Sequence, residues 1–199
     1  MTTSSKPRII GVAGTLGSGK DTVGEVLAEE YDFFHASTSD MLRAAKKKKY
    51  GDSPKALLLR ADPFANELRA TRGPGVLVEL AYEEYMENID KYPGGIVATA
   101  IRSIGEAEKI KELGGTMVFV DADPKIRYER TFARKRDTND HSASYEDFLA
   151  MEKSESDVPA GDKTVQNLPA MKELADIQLE NNGNDIEAFK EAAKKSLNL

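Results

Sequence analysis

The sequence of 199 residues contains no cysteine and no tryptophan. Without cysteine the chain can form neither a disulfide nor a thiolate metal site, which fits a reducing compartment. Its two histidines, His35 and His141, are far apart in sequence and give no indication of a metal site. The first residues lack the apolar segment of a signal peptide, and no apolar run approaches the length of a membrane span. The sequence therefore predicts a cytoplasmic protein with no membrane partner.

Basic residues are also fewer than acidic ones: the chain has 28 lysines and arginines and 34 aspartates and glutamates, which gives a formal net charge of −6. Binding to a nucleic-acid backbone requires a basic surface, so nucleic acid is excluded as the main partner. The 40% of hydrophobic residues is typical of a globular protein. This length accommodates one core, and we expect a single domain over residues 1–199. The oligomeric state is left open.

Short apolar runs alternate along the chain with stretches of helical periodicity. Each run has the length of a strand and is bounded by glycine or polar residues. Strands that alternate with helices form parallel sheets covered by helices. We therefore predict an α/β three-layer fold with a five-stranded parallel sheet, its strands at residues 8–13, 33–37, 96–101, 116–120 and 176–180. Residues 54–91 are expected to be helical with a break at Gly73–Gly75.

A glycine-rich stretch, Gly14–Thr22, joins the first predicted strand to an amphipathic helix and fits the pattern G-x-x-x-x-G-K. Glycines permit positive φ and close backbone approach, so successive N–H groups and the helix N-terminus can converge on a polyphosphate. An ordinary glycine-rich turn is the alternative. We predict that ATP binds here, with Lys20 reaching its β- and γ-phosphates. The predicted ATP-binding residues of this loop are Gly14, Gly17, Ser18, Gly19, Lys20, Asp21 and Thr22.

One residue of this loop departs from the usual pattern. A serine or threonine normally follows the lysine and its hydroxyl meets Mg²⁺, whereas this chain has Asp21 there and Thr22 next. A carboxylate can bind a hard cation directly or through water. We therefore predict that Asp21 is the Mg²⁺ ligand and that Thr22 meets a phosphate oxygen.

Polar segments follow the next two predicted strands. The segment Ser37–Arg43 follows the second strand, and Arg102 follows the third. Ligands of open parallel sheets bind at the carboxyl ends of the strands, where the glycine-rich loop also lies. These segments should therefore share one site with the loop. Asp40 could be only a helix cap, and the basic run Lys46–Lys49 is interpreted as a solvated helix face or as an attraction for an anionic substrate.

Three arginines lie along a helix that opens at Asp123 and Pro124. Arg127, Arg130 and Arg134 are spaced at i, i+3 and i+7 and should share a face. We interpret Arg127 as a solvated or salt-bridged residue. The polar stretch over about 134–143 is predicted to be a short mobile lid.

These motifs together resemble the P-loop kinases that phosphorylate nucleotides and similar small molecules. The segment from Ser37 is similar to the acceptor-binding segment of adenylate kinases, which implies that Thr38 and Arg43 hold a monophosphate. Arg102 would be a second arginine on the acceptor phosphate. The resemblance implies a P-loop NTPase fold with a helical acceptor-binding region over about 38–91.

The same resemblance gives roles to the arginines at the base of the lid. Arg130 and Arg134 match the pair that adenylate kinases place against the adenine and phosphates of ATP. Arg130, Arg134 and Arg136 would then neutralise the transferring phosphoryl group once the lid closes. The predicted catalytic residues are Lys20, Asp40, Arg102 and Arg134.

A second resemblance is to dephospho-coenzyme A kinases, including an archaeal-type group of small nucleotide kinases. It depends on Ile101–Ser103, on the segment Asp121–Arg130 and on Asn181–Gly183. It implies that Asp40 is a candidate general base for an acceptor hydroxyl. The Gly-Lys-Asp-Thr sequence of the loop also resembles viral deoxynucleoside monophosphate kinases.

The chain departs from both families directly before Arg102. The Asp-Gly pair usual at that place is Thr99-Ala100 here, so an acid that helps to hold Mg²⁺ is missing, and Asp21 would partly replace it. The sequence predicts an ATP- and Mg²⁺-dependent phosphotransferase acting on a small acceptor, most simply a (deoxy)nucleoside monophosphate. The alternatives are a dephospho-coenzyme A kinase and a non-kinase ATP-binding or ATPase module.

Overall fold

The computed structural model describes residues 7–52, 63–133, 144–156 and 162–199. Its sheet has five parallel strands in the order β2-β3-β1-β4-β5. The strands are β1 (Arg8–Gly14), β2 (Phe33–Ser37), β3 (Gly95–Ile101), β4 (Thr116–Asp121) and β5 (Ile177–Glu180). The predicted five-stranded parallel sheet is confirmed, and each strand agrees with its predicted bounds to within one residue.

Helices connect the strands and cover both faces of the sheet. In the described part of the chain they are α1 (Lys20–Tyr31), α2 (Thr38–Tyr50), α3 (Pro63–Arg72), α4 (Val76–Glu87), α5 (Ile104–Glu112), α6 (Pro124–Ala133), α7 (Tyr145–Ser156), α8 (Leu168–Leu174) and α9 (Ile186–Ser196), with a short 3₁₀ helix at Ile89–Lys91. Among the described residues, no helix has both the length and the hydropathy needed to cross a bilayer.

Alternate residues of the strands build two cores, as expected for a parallel sheet buried on both faces. One core packs β-strand residues such as Val12 and Val118 against Leu27 of α1 and Phe189 of α9. The other packs the opposite face against α4, α5 and α8, and includes Tyr85, Ile110 and Met171. A third, smaller cluster joins α2, α3 and α4 through Leu42, Phe64 and Leu77.

One described helix differs from the sequence interpretation. Helix α8 was not anticipated, although Asn167 caps it by accepting a hydrogen bond from the N–H of Ala170, and Pro169 stands in its first turn. The predicted break between helices at 73–75 is present, and α3 ends at Arg72. The predicted lid at 134–143, with Arg134 and His141, lies outside the described residues.

The ring of His35 in β2 lies between α1 and β3. Its Nε2 is 3.0 Å from Oγ1 of Thr99, with which it shares a hydrogen bond. Gly24 in α1 makes room for this pair, because a Cβ atom at Gly24 would stand 2.4 Å from His35 Nε2 and 2.7 Å from Thr99 Cγ2. A glycine inside a helix is therefore required here by close packing.

Replacing Gly24 by alanine should destabilise the fold despite the higher helix propensity of alanine. The propensity gain is about 1 kcal/mol, whereas overpacking of a well-filled core costs about 1–3 kcal/mol. We expect Gly24→Ala to lower the free energy of unfolding in urea by up to about 2 kcal/mol. The same change in a His35→Ala background should cost less, because the ring is gone. A Gly24→Ala variant more stable than the parent would contradict this packing.

Candidate active site

The glycine-rich loop between β1 and α1 is closely packed by other parts of the backbone. Gly17 and Gly19 have φ values of 78° and 94°, a region that favours glycine. A Cβ atom at Gly17 would lie 2.6 Å from the backbone carbonyl oxygen of Arg127, and one at Gly19 would lie 2.6 Å from the side-chain nitrogen Nδ2 of Asn181. The loop conformation therefore depends on glycine at both positions.

The side chains of the loop are arranged as a phosphate cradle would require. Ser18 is fully buried, and its hydroxyl has no hydrogen-bond partner among the described residues. Lys20 is the first residue of α1, and only 10% of its side chain is exposed. An orphaned hydroxyl, a buried lysine and a helix N-terminus fit a bound polyphosphate. Thr22, also predicted to meet a phosphate, is buried in the same turn.

The carboxyl end of β4 fixes the start of the loop. The hydroxyl of Thr15 donates to Oδ1 of Asp121 over 3.0 Å, and its N–H donates to the carbonyl of Val120 over 3.3 Å. Asp121 Oδ2 also accepts from Lys172 of α8 over 3.2 Å. The loop is therefore held by the strand next to β1.

The segment after β5 covers the other side of the loop. The side-chain amide of Asn181 donates to the carbonyl of Ser18 over 2.8 Å. Arg130 of α6 donates to the carbonyls of Asn181 and Gly183, over 2.9 and 2.5 Å. Arg130 thus lies beside the phosphate loop, where its predicted contact with ATP is geometrically feasible.

Arg127 has a different role from its neighbour Arg130. Its guanidinium is buried, donates to the carbonyl of Ala122 over 2.7 Å and pairs with Glu152 of α7. It also lies 5.6 Å from the ring centroid of Phe148. The salt-bridged interpretation of Arg127 is confirmed, and this arginine joins α6 to α7.

On the acceptor side, Thr38 begins α2 and its buried hydroxyl donates to the carbonyl of Ala100 over 2.8 Å. Ala100 has a φ of 60°, and the pairing of β1 with β3 skips it, because Val12 faces Thr99 and Ala13 faces Ile101. A left-handed alanine is strained. The strain occurs where β3 meets α2, and the hydroxyl of Thr38 donates its proton to the backbone there. The donor of Thr38 that is left for the predicted phosphate is therefore its backbone N–H.

Asp40 lies inside the first turn of α2, whose N-cap is Ser37, so its interpretation as a helix cap is wrong. Its carboxylate pairs with Arg43 one turn later, and both side chains are about half exposed. The basic run beyond them is not a uniformly solvated face, since Lys46 is buried and Lys49 donates to Glu67 over 2.7 Å.

Arg102 follows β3, next to the strand that carries the phosphate loop. Its guanidinium donates to the neutral Oε1 of Gln166 over 3.2 Å, and within the described residues it forms no ion pair. Its N–H donates to Oε2 of Glu106 over 2.9 Å. Glu106 and Ser103 form a capping box at the start of α5. The backbone around Arg102 is therefore fixed, while its charge stays available.

Comparison with known proteins agrees with this geometry. The AAA domain family matches residues 10–158 of the sequence, which is most of the chain. The chain belongs to the AAA domain family. It is similar to a uridine kinase of Lactobacillus johnsonii, with 29% identity over 73% of this chain and 75% of the relative. It is also similar to adenylate kinase 1 of Nostoc sp., with 30% identity over 62% of this chain and 67% of the relative.

Solved structures show the same fold. A shikimate kinase of Bacteroides thetaiotaomicron superimposes with a TM-score of 0.55 at 15% identity, covering 96% of this chain and 99% of that one. A protein of Thermus thermophilus gives 0.54 at 21% identity and covers 98% of both chains. The expected P-loop fold is confirmed, and the protein is a P-loop kinase of small molecules.

In this P-loop kinase a neutral pair occupies the place where the resemblance leads one to expect an acid. Thr99 is fully buried and shares its hydrogen bond with His35. Burial lowers the pKa of His35, while the charges of Asp21 and Glu25 oppose the shift. Asp21 follows Lys20 directly; 32% of its side chain is exposed, and its Oδ2 lies 3.6 Å from Lys20 Nζ.

The depressed pKa of His35 should make stability depend on pH. The ordinary value is 6.5, so just below it the unfolded chain binds more protons than the folded protein. The stability contribution is complete above about pH 6.5 and is lost as the pH falls. We expect the free energy of unfolding in urea to fall more between about pH 7.5 and about pH 5.5 in the wild type than in His35→Gln. Equal losses would contradict the assignment.

Proposed function

We propose that this P-loop kinase transfers the γ-phosphoryl group of ATP to a small acceptor that already carries a phosphate, most simply a (deoxy)nucleoside monophosphate. The observation that carries the proposal is the position of Arg102. It follows β3, the strand beside the one that carries the phosphate loop, and its backbone is fixed by Glu106. Within the part of the chain that the structure describes, its charge meets only a neutral glutamine. An arginine held in this way is suited to a second anion facing the γ-phosphate.

The transfer asks for positioning and charge neutralisation more than for covalent chemistry by the protein. An acceptor oxygen bonds to the γ-phosphorus, the bond from that phosphorus to the β–γ bridging oxygen breaks, and ADP leaves. The loop and Lys20 would hold the phosphates of ATP, with Arg130 beside them. Arg102 and Arg43 would hold the acceptor phosphate, joined by the N–H of Thr38. Arg134, outside the described residues, is proposed to neutralise the transferring group.

The residues around the loop fit a magnesium ion that is held mainly by the substrate. Mg²⁺ retains several waters and in phosphate sites needs one or two carboxylates. Asp21, exposed in part and next to Lys20, would hold it. When bound, Mg²⁺ would supply positive charge that offsets the negative charge of the phosphates.

The state of Asp40 supports a phosphate acceptor over a hydroxyl acceptor such as dephospho-coenzyme A. A hydroxyl acceptor calls for a general base, whereas a phosphate is already ionised at neutral pH. The carboxylate of Asp40 is engaged by Arg43, one helical turn away. Asp40 would therefore position Arg43 for the acceptor phosphate.

An assay of ADP formation tests the proposal. The purified protein would be incubated with ATP, Mg²⁺ and one acceptor at a time, taken from nucleoside monophosphates, nucleosides and dephospho-coenzyme A. We expect ADP formation that depends on a monophosphate and falls by at least about 100-fold in Lys20→Ala, because the β- and γ-phosphates lose a charged donor. Lys195→Ala, in the last turn of α9, is the matched control. Acceptor-independent hydrolysis would indicate an ATPase module instead.

A second test concerns Asp21. If its carboxylate holds Mg²⁺, Asp21→Ser should require a Mg²⁺ concentration raised by about tenfold for half-maximal rate, since one charged ligand is lost. Asp32→Ser, at the end of the same helix α1, is the control. A Mg²⁺ dependence that does not change in Asp21→Ser would remove the proposed role.

A further inference from the structure

Arg69 in α3 is a largely buried arginine that finds few hydrogen-bond acceptors among the described residues. Only 15% of its side chain is exposed. Its terminal nitrogen lies 3.5 Å from Oε1 of Glu106, at the outer limit of a hydrogen bond. Its Nε is buried and has no partner among the described residues.

Arg127 shows how this protein holds an arginine that serves only the fold. Its Nε donates over 2.7 Å to a backbone carbonyl, and a terminal nitrogen pairs with Glu152. A guanidinium has five N–H donors, and a buried donor without an acceptor is costly. Among the described residues, Arg69 thus has fewer close hydrogen-bond acceptors than Arg127 has.

The partner of Arg69 is the residue that also fixes Arg102. Glu106 is buried, and its Oε2 accepts from the N–H groups of Arg102 and Ser103 over 2.9 and 3.3 Å. Its Oε1 faces Arg69. One carboxylate therefore brings the guanidinium of α3 next to the segment that carries Arg102.

A third segment packs beside these two arginines. Gln166 accepts from the Arg102 side chain, and the N–H of Asn167 donates to the Arg102 carbonyl over 2.8 Å. Thr164 lowers the pKa of Asp162 by hydrogen bonding, and the charge of Arg69 lowers it further. Arg69 thus lies where α3, the end of β3 and residues 162–167 meet.

We propose that Arg69 binds the phosphate of the acceptor together with Arg102, so that the site requires an acceptor bearing a phosphate monoester. This inference rests on the proposed function. Glu106 accepts the backbone N–H groups of Arg102 and Ser103 and faces the guanidinium of Arg69. The planar guanidinium fork matches the oxygens of a phosphate. The phosphate would supply the acceptors that Arg69 lacks.

Titration calorimetry of an Arg69→Gln variant tests the inference without turnover. The probes are the adenosine, guanosine, cytidine, uridine and thymidine 5′-monophosphates, the corresponding nucleosides, and ATP. We expect the monophosphate that binds the wild type best to bind Arg69→Gln about 10- to 100-fold more weakly, as loss of a charged hydrogen bond implies. ATP affinity should not change. In the kinase assay, the KM for the acceptor should rise while the KM for ATP stays constant.

Arg72→Gln is the matched control, since Arg72 lies on the same helix and pairs with Glu79 and Glu83 in an exposed position. It should bind monophosphates as the wild type does. If Arg69→Gln does not fold, Arg69→Lys keeps the charge toward Glu106 but loses the fork, and it should still weaken monophosphate binding.

The outcomes separate the inference from the proposed function. Unchanged monophosphate affinity in both Arg69 variants would overturn the inference, and so would a wild type that binds no monophosphate. If the affinity is unchanged in both Arg69 variants but the wild type forms ADP with a monophosphate, the proposed function stands without the inference. Weakened binding in Arg69→Gln without any turnover by the wild type would support the inference and contradict the proposed function.

Discussion

The site depends on the close approach of three segments of the chain to the loop between β1 and α1. The carbonyl of Val120 in β4, the carbonyl of Arg127 in α6 and the side-chain amide of Asn181 after β5 stand where Cβ atoms at Gly14, Gly17 and Gly19 would be. Glycine is therefore a packing requirement of the surrounding fold as well as of a phosphate. The strand order that sets β4 beside β1 brings these segments together.

Charge is distributed unevenly across the site. Two charged residues next to the phosphate loop have close partners in the protein, namely Arg127 and Asp121. On the acceptor side, Arg102 meets only a neutral side chain and Arg69 a single distant carboxylate oxygen. Incompletely paired cations at the carboxyl ends of parallel strands are suited to an anionic ligand.

The five strands were predictable because buried parallel strands are continuous apolar runs with clear boundaries. The phosphate loop was predictable because its glycines and lysine have fixed spacing. Tertiary contacts were not predictable, because no local pattern indicates that Thr38 supports a strained Ala100 or that His35 fills the space left by Gly24. Arg69 was missed because its significance comes from a partner 37 residues away. The capping box of α5, by contrast, follows from the local spacing Ser103-x-x-Glu106.

In the proposed function, the phosphate loop and the acceptor arginines form one site for two substrates. The most direct test is the affinity of a bisubstrate compound in which adenosine and a second nucleoside are joined through a chain of phosphates. This compound should bind at least about 100-fold more tightly than ATP or a monophosphate alone, because binding of its second nucleotide becomes intramolecular once the first is bound. An affinity no higher than that of ATP would contradict it.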